Sequence, residues 1–222
     1  MPNTKVLPLS VTYRCGFNIV KEAKNYFDDI EAFENNPQGI VRNGKLLEAE
    51  AGDFVLCRNN LPLIEAFIYF LKNGKKSSIR GKDFQKNLLN LIRKVNVIDD
   101  LQKLREEKAK ELINKGIENY LYNKSYIDLD EKLQIIEILL KTFETIEKTT
   151  NIIEKLFTEE KDDIHLMTIH KSKGLESKRI FWLNKELLPS KYAVTDLAKY
   201  SERALGFVAV TRAKEELIYC NI

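Results

Sequence analysis

An α/β fold is what this sequence predicts: a mainly parallel sheet flanked by helices and interrupted by an all-helical insertion. Three observations carry that expectation. Strand-like and helix-like segments alternate over residues 1–83, and the alternation returns over 161–222. Between them, residues 84–160 hold one Gly, no Pro and long apolar patterns of helical period. Strands separated by helices imply parallel pairing, so 1–83 and 161–222 are expected to form one sheet domain with 84–160 inserted into it.

The elements follow in order. Val6-Leu7-Pro8-Leu9 is a short apolar run, and from Gly16 to Phe27 apolar residues recur at helical spacing (Phe17, Ile19, Val20, Ala23, Phe27). Asp53 to Arg58 reads as a buried strand bounded by Gly52 and Asn59-Asn60. Leu61 to Leu71 is an apolar helix with Pro62 in its first turn and Asn73-Gly74 to end it, and Ser77 to Arg80 makes a further strand. In the insertion, one stripe runs Leu88, Leu91, Ile92, Val95; a second runs Leu101, Leu104, Lys108, Leu112; the clearest runs Leu129, Leu133, Ile136, Leu140, Phe143, Ile146. They predict three or four packed helices. Ile164 to Ile169 and Arg179 to Leu183 are strand-like, Asp196 to Phe207 is helical, and Leu217 to Cys220 is a terminal strand.

Composition removes several classes. With 14 Gly plus Pro among 222 residues and 44% hydrophobic residues, the chain is neither disordered nor collagen-like. No apolar run approaches the roughly 20 residues that span a bilayer, and no signal segment opens the sequence, so no membrane partner is expected. Cys15, Cys57 and Cys220 are odd in number and widely spaced, which argues against a disulfide framework or a zinc site and for a reducing cytoplasm. The net charge of +3 divides unevenly: the two flanks carry 23 basic and 18 acidic side chains, the insertion 13 and 15. A +5 sheet domain beside a −2 insertion suits a phosphate-facing edge, with weak nucleic-acid affinity in isolation.

Two segments place polar and basic residues directly after apolar strands. Met167-Thr168-Ile169-His170-Lys171-Ser172-Lys173-Gly174-Leu175-Glu176 offers a hydroxyl, an imidazole, ammonium groups and a carboxylate. Ligands of parallel sheets sit outside the carboxyl ends of the strands, which makes this segment a ligand edge. Phe207-Val208-Ala209-Val210-Thr211-Arg212-Ala213-Lys214 delivers Arg212, and a guanidinium on a rigid element suits phosphate. Together these segments resemble the C-terminal half of superfamily 1 DNA helicases of the UvrD/Rep/PcrA type. Motif V, T-x-H-x-x-K-G-L-E, is matched by Thr168, His170, Lys173, Gly174, Leu175 and Glu176. Motif VI, Y-V-A-x-T-R-A, is matched by Val208, Ala209, Thr211, Arg212 and Ala213, and motif IV, N-Y-R-[ST], by Tyr13 and Arg14. Thr12, Cys15, Phe207 and Ser177 depart from the pattern, each beside a functional position rather than on it.

The resemblance implies a RecA-like second motor domain, residues 1–83 and 161–222, carrying a reduced helical subdomain at 84–160. It sets Tyr13 on the adenine of ATP, Arg14 and Arg212 on the γ-phosphate as catalytic groups, Glu176 on the ribose and Lys173 near the phosphates. Thr168 and His170 would contact single-stranded DNA or a partial duplex, while His165 is a structural residue. The chain has no G-x-x-x-x-G-K-[ST] and no apolar strand ending in paired Asp-Glu, so the ligands of the magnesium ion that accompanies ATP are expected on a separate N-terminal ATPase domain. Alone, the chain is expected neither to hydrolyse ATP nor to unwind DNA. A non-catalytic DNA- or partner-binding module derived from a helicase is the alternative.

Overall fold

The computed structural model describes residues 10–158, 160 and 163–222; the run Val6-Leu7-Pro8-Leu9 lies outside them. The first part holds β1 (Val11–Thr12), α1 (Phe17–Ala23), β2 (Glu31–Ala32), β3 (Ile40–Asn43), β4 (Phe54–Cys57), α2 (Leu61–Lys72) and β5 (Ser77–Ile79). Four helices come next: α3 (Lys82–Ile92), α4 (Asp100–Asn114), α5 (Lys124–Phe143) and α6 (Ile146–Leu156). The chain then forms β6 (Ile164–Thr168), β7 (Ser177–Leu183), α7 (Asp196–Val210) and β8 (Ala213–Cys220). Six strands make one sheet in the order β3-β8-β7-β4-β6-β5, and every pairing in it is parallel. β1 and β2 form a separate two-stranded parallel pair. The α/β class expected from sequence is the one observed.

Alternation along the central strands sorts side chains onto two faces. Val55, Cys57, Phe181 and Leu183 join α2 in one core, while Leu56, Ile180, Trp182 and Met167 join α1 and α7 in the other. Residues of α3, α5 and α6, among them Leu88, Leu133, Ile136 and Ile153, belong to the first core. The inserted helices therefore thicken the α2 side of the sheet and share its apolar interior.

Local chemistry explains the boundaries. Pro62 sits in the first turn of α2, where its missing N–H costs nothing. The helix ends in a Schellman arrangement: Gly74 takes φ +69°, Lys75 N donates to Phe70 O at 3.0 Å and Gly74 N to Leu71 O at 3.2 Å. The stripe through Ile146 is broken because Glu144 turns left-handed (φ 67°) and Thr145 caps a new helix by accepting from Lys148 N at 3.2 Å. Phe207 to Val210 is the last turn of α7, not a strand; a four-residue apolar run has no period to distinguish the two. β3 escaped sequence reading because it is an edge strand with only two apolar residues, Ile40 and Val41.

Candidate functional site

Since all strands run the same way, the sheet has an amino edge and a carboxyl edge. Ser177 and Ala213, the first residues of β7 and β8, pair at the amino edge. There the turn after α7 presents Thr211 and Arg212, and the segment after β1 presents Tyr13, Arg14 and Cys15. Arg14 Nη1 donates to Thr211 O at 3.4 Å, and Arg212 Nη2 donates to Thr211 Oγ1 at 3.3 Å. Two guanidinium groups thus meet at one threonine. Arg212 is fixed further by Nη1 to Leu175 O at 3.0 Å and Nε to Val208 O at 3.2 Å. Burial, and then the neighbouring Arg14 charge, hold its pKa below the usual guanidinium value.

Glu176 balances this cluster. Its carboxylate accepts from Arg14 Nε at 2.5 Å and from the Lys214 ammonium. The Lys214 and Arg14 contacts hold the Glu176 carboxyl below the ordinary carboxylate range. Tyr13, Arg14, Glu176, Arg212 and Lys214 line one open cavity of about 830 Å³. The Tyr13 ring is 72% exposed and leans on Phe33, with centroids 4.7 Å apart, so an aromatic face is available at the rim. Cys15 lies buried below, donating from Sγ to Thr211 O at 3.6 Å, and burial pushes its thiol pKa up.

The carboxyl edge is built differently. Thr168 closes β6 opposite Cys57 of β4, and His170 follows on a one-turn 3-10 helix, Ile169–Ser172. His170 is exposed at the surface, yet loss of hydration on its packed side, followed by the Arg58 and Lys173 charges, holds its pKa below the usual imidazole value. Arg58, just beyond β4, donates to Glu202 of α7 through Nε at 2.9 Å and Nη2 at 2.7 Å. Glu202 is 7% exposed and also accepts from Ser190 N at 2.9 Å. Burial raises its carboxyl pKa, but the Arg58 and Ser190 bonds outweigh that and leave it below the ordinary value.

A strap of chain joins the edges. From Thr168 to Glu176 it returns from the carboxyl end of β6 to the amino end of β7 without a long helix. Ile169 and Leu175 pack with the α7 core, and Ser172 Oγ donates to Ile169 O at 2.8 Å. Gly174 takes φ +84°, a conformation that suits glycine. The expectation that the whole segment occupies one ligand edge is therefore corrected. Parallel strands force the connection back across the sheet, so Thr168 and His170 stand at one edge and Glu176 at the other. Of the residues singled out from sequence, Tyr13, Arg14, Glu176 and Arg212 come together. Lys173, which the resemblance sets among the phosphate ligands, is not part of that lining; it is exposed on the strap, where its charge acts on His170. His165 packs edge-on against Phe54, centroids 5.8 Å apart. Sequence reasoning missed Lys214, Arg58 and Glu202. The last two lie 144 residues apart, a separation that leaves no local signal. Among the described residues, no helix is long and apolar enough to cross a membrane, and no group of three or more His, Cys, Asp or Glu is placed to hold a metal ion.

The family model described as UvrD-like helicase C-terminal domain matches residues 9–221. The chain is similar to the ATP-dependent DNA helicase Rep of Buchnera aphidicola subsp. Schizaphis graminum, 29% identical over 160 residues, which are 69% of this chain and 17% of that protein. It is also similar to the probable DNA helicase II homolog of Mycoplasma capricolum subsp. capricolum, 39% identical over 94 residues, 40% of this chain and 13% of that protein. Rep of Escherichia coli is 38% identical over 63 residues, 28% of this chain and 9% of that protein. In each case the chain spans less than a fifth of the relative's own length.

Proposed function

Because the chain belongs to the UvrD-like helicase C-terminal domain family, we propose that its amino edge is the second wall of an ATP site and its carboxyl edge part of a single-strand DNA track. The observation that carries this reading is the meeting of Arg14 and Arg212 at Thr211, facing a cavity with an exposed aromatic rim and a carboxylate. That donor set fits a nucleoside triphosphate: Tyr13 for the base, Glu176 for a ribose hydroxyl, the two guanidinium groups for the terminal phosphate. A pure scaffold has no use for two arginines held in this way, which disfavours a non-catalytic module.

When bound, ATP supplies the phosphoryl group whose transfer to water releases the energy of the cycle. This chain's part is electrostatic. Arg212, already fixed by main-chain acceptors, is preorganised to stabilise charge developing on the terminal phosphate. Arg14 must exchange its Glu176 partner for phosphate, so its position reports whether a triphosphate is present. The strap and α7 hold the site of that exchange in one body with Thr168 and His170, whose contacts suit a DNA backbone, so the two edges move together. Differential contact with the triphosphate and diphosphate states then shifts the grip on the strand. Magnesium ligands and the phosphate-cradling loop are assigned to an N-terminal ATPase domain, and the two domains would close on the nucleotide between them.

The test is to assay the chain alone and joined in one polypeptide to a P-loop ATPase domain of the Rep type. The chain alone should be inactive, and the joined protein should show DNA-dependent ATPase activity that Arg212→Ala abolishes. Single-turnover hydrolysis by the chain alone, surviving Arg212→Ala, refutes the proposal.

A further inference from the structure

We infer that the corner between Tyr122 and Tyr192 is a base-stacking site for single-stranded nucleic acid, extending the track from His170 onto the inserted helices. The inference rests on the carboxyl edge being a DNA track and names a site that the helicase motifs do not include. Tyr122 ends a one-turn 3-10 helix (Tyr120–Tyr122) immediately before α5, and Tyr192 lies in the connection from β7 to α7. Their rings meet edge to face, with centroids 6.5 Å apart at 78°. Tyr122 is 75% exposed and Tyr192 39%, and both line a cavity of about 360 Å³. Two exposed aromatic rings braced edge to face against each other offer ring surface on which a base can stack.

Charge favours a polyanion. Lys191 Nζ lies 5.1 Å from the Tyr192 ring centroid, and Lys124, two residues beyond Tyr122, is exposed. The acid at the cavity, Asp130, is paired with the Arg105 guanidinium through Nε at 2.7 Å and also accepts from Gln134 Nε2 at 2.7 Å. Continuity with His170 is built in twice. Glu202 accepts from Arg58 on one side and from Ser190 N, two residues before Tyr192, on the other. Lys124 also lies close enough to His170 for its charge to act on the imidazole. The site therefore combines stacking faces for bases with ammonium groups for phosphates, on the path that leaves His170.

The experiment uses the full 222-residue chain at low salt, titrated against fluorescent oligothymidylate and against an abasic deoxyribose-phosphate chain of equal length. Wild type should prefer the base-bearing strand by roughly tenfold. Tyr122→Ala with Tyr192→Ala should erase that preference, whereas Tyr122→Phe with Tyr192→Phe should keep it because the ring faces remain. His170→Ala should weaken both polymers alike. Equal wild-type affinity for the two polymers, with His170→Ala still weakening both, overturns the stacking site and leaves the DNA track standing. Loss of the preference in the Phe pair also overturns it. Binding of neither polymer, or binding indifferent to His170→Ala, overturns the track and the stacking site together.

Discussion

At the amino edge, Arg14, Glu176, Lys214 and Arg212 are bonded to one another or to main-chain oxygens before any ligand arrives, whereas at the carboxyl edge His170, Lys173 and Lys124 stand exposed with no ion pair among the described residues. Arg58 and Glu202 are locked to each other there, both largely buried. The first arrangement gives a ligand fixed geometry and demands an exchange of partners. The second gives weak, adjustable and salt-sensitive contact, which suits a strand that must be held and released. On the proposed reading, one sheet offers bonded charged groups to a nucleotide on one side and exposed cationic groups to a strand on the other.

The sharpest way to break this comparison is to remove Arg212 in the two-domain protein. Arg212→Ala should lower DNA-dependent ATPase activity on the order of 10³-fold while leaving single-strand affinity nearly unchanged in a salt titration. Equal losses in both assays would mean that the two edges are not separate. Next in size is Glu202→Ala, which leaves Arg58 partly buried without its carboxylate. It should cost about 3 kcal/mol in urea unfolding; a loss below about 1 kcal/mol would show that solvent replaces the carboxylate at that edge.

A third test strikes the helix that spans both edges. A Cβ at Gly206 would lie 2.2 Å from the Tyr26 ring, so Gly206→Val should destabilise the fold by about 2 kcal/mol. Tyr26→Ala in the same chain should recover part of the loss, and strictly additive losses would reject the contact as the cause.

The smallest effect is a pH dependence confined to the carboxyl edge. The His170 pKa is held below its ordinary value, and an arriving phosphate favours the imidazolium, so binding takes up a proton. Single-strand affinity should therefore rise severalfold as pH falls through the imidazole range, and His170→Gln should flatten the slope. Folding stability runs the opposite way. The unfolded chain protonates first, so the contribution of His170 is complete above the ordinary imidazole pKa and is lost as pH falls below it. At the amino edge the Lys214 and Arg14 contacts hold the Glu176 carboxyl below its already acidic ordinary value, so its own titration adds no slope to nucleotide binding in the imidazole range.

Legibility in the sequence followed the range of the interactions. Helix α2 could be read almost to the residue, because Pro62 and Asn73-Gly74 are local signals and its apolar faces repeat. The left-handed turn at Glu144 could not, since the apolar spacing continues across it to Ile146. Strand β3 carries Arg42, which reaches the nearby Glu48 at 2.7 Å and the distant Glu216 at 2.6 Å, and the second pairing is one that only the folded chain reveals. The site behaved the same way. The motifs located Arg14 and Arg212, but their meeting at Thr211 is tertiary, as is the pairing of Arg58 with Glu202. The direction of the strap was misjudged because a rule about strand ends says nothing of where a short parallel connection finishes.

That strap has a mechanical consequence. Both of its ends are continuous with strands of one hydrogen-bonded sheet, and its middle is packed under α7. The distance from Glu176 to His170 is therefore set by the sheet, as fixed as the gap between two marks on a ruler. A motor using this domain cannot lengthen or shorten its reach by deforming that span. Any advance along a strand must come from moving the whole ruled piece against another body, and the step size belongs to that joint.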